Sequence, residues 1–435
     1  MDQRDAMSNE SSAFVPPLPD SIEDTGLGLG FISDLALKLL YLEGDLLGYE
    51  LADRMKLPHA GVVDDLLDSL KEEQLCEVKG TGGVSGVGIG RAVYRYRITD
   101  KGRAAAREAL DRSQYAGPAP VSLEQYNKAI RRQSNRASAV HRDSLENALS
   151  HLVVDEMTAA HLGAAVNSGR SIFLFGPPGN GKTAISEAIG TLVLQSALYI
   201  PYAVETGHEV IKVYDVVNHV RDEDPSLGRR DRDQRWVRIR RPVITVGGEM
   251  LLEELDLIYE ERSRYYEAPL QMKANGGMLL IDDFGRQQAR PRDLLNRWIV
   301  PLEKRIDYLT LHTGRKIQVP FDTLIVFATN LAPKQLVDEA FLRRIRHKIE
   351  IKDPTWDEYR QIFRRVCLEK QVPYDEQALA YLIKEYYIKP GRPGRGCHPR
   401  DLVDQVRDIA SYLDIPAELS QDLIDQACRS YFVDL

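Results

Sequence analysis

Residues 176–183 read Gly-Pro-Pro-Gly-Asn-Gly-Lys-Thr and directly follow the apolar run 171–175. A buried strand that turns through such a loop into a helix, here the apolar stretch 184–194, belongs to open α/β folds. The residue types carry a chemistry. Glycines let successive backbone N–H groups turn inward toward phosphate oxygens. A lysine brings positive charge to the outer phosphates, and a hydroxyl can ligate Mg²⁺. Gly176, Pro177, Pro178, Gly179, Asn180, Gly181, Lys182 and Thr183 therefore form a candidate triphosphate-binding set, with Thr183 also a metal ligand.

A second cluster, Gly277-Met-Leu-Leu-Ile-Asp-Asp-Phe-Gly285, has four apolar residues ending in paired carboxylates. This fits a central strand delivering acids to its C-terminal edge, where ligands of open α/β sheets bind. Asp282 would hold the water shell of Mg²⁺, and Asp283 would orient an attacking water. A third buried run, 323–330, ends in Asn330.

Together the three resemble Walker A, Walker B and sensor 1 of the AAA+ ATPases. Ala274-Asn-Gly-Gly277 is similar to the segment preceding Walker B in MoxR-like (AAA_5-like), magnesium-chelatase-like and enhancer-binding members. Asp338-Glu-Ala-Phe-Leu-Arg-Arg-Ile345 resembles the stretch that carries an arginine finger, with Arg344 the better match and Arg343 the second. Gly396-Cys-His-Pro-Arg400 resembles the Gly-x-x-Pro-Arg sensor 2 of branch-migration motors and origin-recognition ATPases. The resemblance covers roughly residues 141–435. It implies a P-loop core of parallel strands flanked by helices, a helical lid, ATP and Mg²⁺ as ligands, and a homo-oligomer, a hexameric ring. A finger supplied in trans would leave isolated protomers nearly inactive, since such an arginine is worth about 10³–10⁵ in rate.

One position departs from the pattern. The family places Glu after the Walker B Asp, and Asp283 stands there instead. Its carboxylate is one methylene shorter, about 1–1.5 Å of reach. Misplacement on that scale can cost orders of magnitude in rate, so slow hydrolysis is expected.

Composition fits this reading. The chain has 435 residues, enough for two or three domains, and a net charge of −8, which does not suit blanketing nucleic acid. No apolar stretch is long enough to span a bilayer, and residues 1–20 lack the apolar core of a signal peptide. Cys76, Cys367, Cys397 and Cys428 are scattered without CxxC pairing, which points to a reducing cytoplasm and against a disulfide or zinc framework.

Residues 1–30 read as a disordered tail, and 114–140 have linker composition. Between them, 31–113 carry three helical runs, a glycine-rich tip at 80–90 and an alternating strand at 91–98. That order resembles a winged helix. In the third run Val62, Val63, Leu66, Leu67 and Leu70 form one buried face. The opposite face offers Asp64, Asp65, Asp68, Glu72 and Glu73 against Lys71, which would repel phosphates. Arg91, Arg95, Arg97, Lys101 and Arg103 keep a wing-led DNA contact open. The nucleotide domain spans 141–352 and contains an arginine-rich insertion at 221–241, where Arg229, Arg230, Trp236 and Arg238 could touch a substrate. A strand is expected at 242–246 and a helix at 250–259. From 353 to 435 the pattern is helical, a lid able to swing Arg400 toward nucleotide.

Two functions follow. One is a ring that hydrolyses ATP to remodel or activate a protein partner, with 31–113 as docking adaptor. The alternative is a nucleotide-controlled, DNA-associated factor using the winged helix on DNA. A structural nucleotide sensor is the third case, should Asp283 fail to support hydrolysis.

Overall fold

The computed structural model describes residues 14–81, 93–134, 140–222, 232–336 and 342–432. At its centre five strands lie in the order Val243–Val246, Met278–Ile281, Leu324–Thr329, Ile172–Phe175 and His347–Glu350. Every neighbouring pair is parallel. Successive side chains alternate faces, and both faces are apolar. Ile172, Leu174, Leu280 and Val326 pack on Ile185 and Ile189 of helix Lys182–Val193 and on Leu162 of helix Glu156–Ser168. Phe173, Leu279, Ile325 and Phe327 face the other way, onto Leu294, Leu295 and Trp298 of helix Pro291–Lys304. Strands covered on both sides read as continuous hydrophobic runs, and the three inner strands do, whereas the edge strand His347–Glu350 is mostly polar. The core is α/β, a parallel sheet flanked by helices.

A second β layer is built mainly from the chain between helix Lys182–Val193 and strand Met278–Ile281. Its five strands are ordered Ile258–Glu260, Tyr265–Glu267, Glu209–Lys212, Ala203–Thr206 and Val121–Ser122. The pair Ala197–Pro201 and Trp236–Arg240 and the hairpin Ile306–Thr310 with Lys316–Pro320 adjoin it. Tyr199, Ile211, Trp236, Tyr266, Leu309 and Val319 share its core. Asn275, 1% exposed, donates to the Tyr126 hydroxyl and the Pro320 carbonyl, which ties this layer to the start of the acidic strand. The strand expected at 242–246 is the edge strand of the central sheet. The helix expected at 250–259 is a 3₁₀ turn, Leu252–Leu255, followed by a strand, because Asp256 takes an extended conformation and ends it.

Residues 114–140 differ from the expected linker. They contain strand Val121–Ser122 and helix Leu123–Arg132, whose Ser122 side chain and Gln125 form a capping box. Tyr126, Ala129 and Ile130 bury one face of that helix. The expected tail also has structure from residue 14 onward. Phe14 packs edge-on against Tyr199 and Trp236, and Thr25 is fully buried.

The N-terminal module has helices Leu29–Glu43, Gly48–Met55, Asp64–Glu72 and Asp100–Arg112. An antiparallel sheet orders Leu46–Leu47, Tyr94–Ile98 and Cys76–Thr81. Val62, Val63, Leu66, Leu67 and Leu70 are all buried in one core, which also takes in Ala203 and Val210 of the second β layer. The module is therefore continuous with the body behind it. Most of the glycine-rich tip expected over 80–90, with Arg91, Arg229, Arg230 and 338–341, lies outside the described residues.

The C-terminal region folds as helices Trp356–Lys370, Glu376–Ile383, His398–Tyr412 and Gln421–Tyr431 around Tyr359, Phe363, Leu382 and Val403. No described helix is long and apolar enough to cross a membrane.

Candidate functional site

The phosphate loop leaves the end of strand Ile172–Phe175 and enters helix Lys182–Val193 with the left-handed residues Gly179 and Gly181. Gly179 admits no side chain: a Cβ there would lie 2.5 Å from the Cys397 sulfur of the lid. At Gly176 a Cβ would meet the Ile351 carbonyl at 2.1 Å. The loop is thus pressed between the strand end and the C-terminal helices.

A cavity of about 560 Å³ opens there. Its polar lining includes Lys182, Thr183, Asp282, Asp283, Asn330 and Arg400. Its apolar lining includes Leu152, Val154, Ile185, Ile362 and Val366. A pocket of this size lined by both charged and apolar side chains suits a small, amphipathic ligand.

The polar side chains are hydrogen-bonded within the site. Lys182 donates from Nζ to the carbonyls of Gly176 at 3.1 Å and Pro177 at 2.8 Å. Burial lowers its pKa, and Asp283 and Asp282 oppose that shift. Thr183 donates its hydroxyl proton to Asp282 Oδ2 at 2.9 Å. Asn330 donates to Asp283 Oδ1 at 3.0 Å. The shortened carboxylate of Asp283 thus reaches the asparagine.

The fit to Mg²⁺ can be tested on the donors. Among the described residues no group of three or more His, Cys, Asp or Glu could cage a metal. A hydroxyl and one carboxylate in contact suit an ion that keeps waters and takes its other ligands from phosphate oxygens, which is how Mg²⁺ binds beside nucleotides. The residues fit the ion.

Arg400 lies on the cavity wall, with Nε donating to Asp401 Oδ1 at 3.2 Å and its side chain 64% exposed. Arg343 and Arg344 lie elsewhere. With Arg170, Arg305, Arg346 and Lys348 they line a cleft of about 660 Å³ at the N-terminal ends of strands Ile172–Phe175 and His347–Glu350. Arg344 donates to Glu303 at 2.5 Å. This cleft is at the opposite edge of the sheet from the phosphate loop of the same chain.

Sequence reasoning overlooked a bridge between the loop and the C-terminal helical region. Asp353 Oδ1 accepts from Asn180 Nδ2 at 2.7 Å and from Arg395 at 2.6 Å. The Gly396 amide donates back to Asn180 Oδ1 at 3.0 Å. Asp353 precedes Pro354 and reads in the sequence only as a boundary, so no local signal marks it. Arg365 was missed as well. Its guanidinium donates to the carbonyls of Ser150 and Leu152, both at 2.8 Å, holding helix Trp356–Lys370 to the segment that lines the cavity.

A family model described as a domain of unknown function (DUF8689) matches residues 355–430, the helical C-terminal region. No curated protein matches the chain. Among solved structures, the RuvB Holliday junction branch migration motor of Thermotoga maritima is similar at 15% identity, with 72% of this chain and 72% of that chain covered and a TM-score of 0.37. NtrX from Brucella abortus in complex with ADP is similar at 15% identity, with 74% of this chain and 64% of that one covered and a TM-score of 0.39.

Proposed function

We propose that the chain is a Mg²⁺-dependent ATPase of the AAA+ type that works as a ring and remodels or activates a protein partner. One observation carries this reading: Lys182, Thr183, Asp282, Asp283 and Asn330 converge on a single cavity, while Arg343 and Arg344 sit at the far edge of the same sheet. An arginine pair too remote for its own site suits the site of the next subunit.

In that site Lys182 exchanges its loop carbonyls for phosphate oxygens, and Thr183 and Asp282 hold the ion. Bound Mg²⁺ would neutralise charge on the outer phosphates. Asp283, steadied by Asn330, orients a water whose oxygen bonds to phosphorus as the bridging bond to the nucleoside diphosphate breaks. Fixed charges supply most of the acceleration. A neighbour's arginine would complete the shell, and the hexamer is the arrangement we favour.

The module of residues 29–112 supports a protein partner over DNA. Asp45 accepts from Lys79 at 2.9 Å and from Arg97 at 3.1 Å, and these bonds, Arg97 first, hold its carboxyl down at about 2. Lys101 is bonded to the Glu73 carbonyl. The basic strand face is largely satisfied within the module, whereas Asp65, Glu72 and Glu73 are exposed.

The test is phosphate release as a function of protein concentration. Specific activity should rise with concentration in the wild type and vanish in Lys182→Ala. It should fall at least about 10³-fold when Arg343 and Arg344 are both replaced by alanine. Mixing the two inactive proteins should restore part of the rate. A rate indifferent to concentration and to both arginines would exclude the shared site.

A further inference from the structure

Asp283 has φ +47°, inside the left-handed region. There the Cβ of an L-residue crowds the next carbonyl, and glycine, asparagine and aspartate are the residues that enter routinely. This conformation gives a reason for the departure from Glu. A longer side chain at 283 would bear the same backbone strain in a conformation that Asp enters more readily.

The turn is held by a residue absent from the candidate set. Gln287 is 8% exposed. Its amide Nε2 donates to the Asp282 carbonyl at 2.9 Å and to the Asp283 carbonyl at 3.3 Å. Its Oε1 accepts from the Gly285 amide at 2.8 Å. One primary amide offers two donors and an acceptor, and all are used on the turn that aims the two carboxylates. The other side of the turn is fixed to the asparagine strand. Phe284 N donates to the Ala328 carbonyl at 2.7 Å, and the Thr329 hydroxyl donates to the Phe284 carbonyl at 2.6 Å.

We propose that Gln287 is the positioning residue of the site. It locks the left-handed turn that separates the metal-holding carboxylate, Asp282, from the water-orienting one, Asp283, and this turn selects Asp over Glu at 283. The inference rests on the hydrolytic reading above.

Gln287→Leu keeps the shape and removes all three bonds. Gln287→Glu keeps the acceptor for Gly285 and removes both donors. In the full-length protein, titration with ATP without Mg²⁺ should give a Kd within about threefold of wild type for both, because neither substitution touches the phosphate loop. Phosphate release should fall by about 10²-fold in Gln287→Leu, since an ångström of misplacement costs that much. Asp283→Glu should be no faster than wild type. Hydrogen exchange at the Gly285 amide should quicken by about tenfold or more in Gln287→Leu, whatever the turnover. An unchanged kcat in Gln287→Leu, an ATP affinity that falls together with kcat, or a faster Asp283→Glu enzyme would overturn the positioning role. Unchanged Gly285 exchange would overturn the lock on the turn. No phosphate release even from the wild type would instead overturn the hydrolytic reading, and the exchange result would stand apart from it.

Discussion

Arg235 is 1% exposed and Asp233, its ion-pair partner, is nearly as deep. Nε and Nη2 of the arginine engage both carboxylate oxygens at 2.8–3.1 Å. Its remaining nitrogen, Nη1, donates to the carbonyls of Thr25 at 2.8 Å and Pro120 at 3.0 Å. Three segments far apart in the chain thus meet on one guanidinium. Arg235→Ala would leave a buried carboxylate without its counter-ion and two carbonyls without a donor. Breaking a buried pair from one side costs about 3–5 kcal/mol. At about 1.4 kcal/mol per factor of ten, local opening should become about 10²- to 4 × 10³-fold more frequent. Hydrogen exchange reads this by segment, and protection over residues 22–27 and 119–122 should fall by that factor. The phosphate-loop strand should keep its protection. Replacing both partners by apolar residues of similar size should recover most of the loss, because the penalty comes from the orphaned charge. Unchanged exchange in Arg235→Ala would refute the argument, and with it the claim that the N-terminal module is locked to the body behind it.

Three other outcomes follow from the same geometry. Asp353→Ala removes the shared acceptor of Asn180 and Arg395, so nucleotide-free protein should show exchange at residues 391–397 faster by about tenfold or more; unaltered exchange would count against the bridge. Burial, with Arg395 next, lowers the pKa of His398 from 6.5 to about 4, and its Nδ1 accepts from the Arg395 amide at 3.3 Å. A folded-state pKa below the unfolded one means that protonation favours unfolding, so lid stability should decline as pH falls from about 6.5 toward 4 and hold above that window. Chemical denaturation followed by aromatic circular dichroism at pH 7, 5.5 and 4.5 measures this, and a flat profile would contradict it. Duplex DNA should bind no more tightly than the nonspecific range of about 10⁻⁴–10⁻⁶ M at physiological salt, whereas a nanomolar complex with a steep salt slope would restore the DNA reading.

The core strands and the residues that gather at the cavity were legible because their signals are local. A glycine-rich loop after a strand, and two strands ending in Asp-Asp and Asn, each announce themselves within ten residues. Helix Trp356–Lys370 was equally plain, framed by the Thr355 and Glu358 capping box. The rest depends on contacts far apart in sequence. Helix Leu123–Arg132 was hidden because Pro118, Pro120 and the basic run after Lys128 give its surroundings the composition of a linker. Phe14 and Thr25 look like tail residues until Trp236 and Arg235 cover them. The 250–259 segment has helical composition, yet strand Ile258–Glu260 pairs with Tyr265–Glu267, and tertiary pairing overrides propensity. At the site, Asp282, Asp283 and Asn330 were readable, but the roles of Asp353 and Gln287 depend on where loop and turn meet in space.

The most direct measurement is equilibrium titration of the full-length protein with ATP and Mg²⁺, by calorimetry, beside Lys182→Ala. The wild type should show saturable binding that requires magnesium for full affinity, weakened in the variant by about tenfold or more, as expected when a buried charge-assisted contact to phosphate is lost. No binding by the wild type, or equal affinity in Lys182→Ala, would contradict the claim that the loop from Gly176 to Thr183 holds a triphosphate.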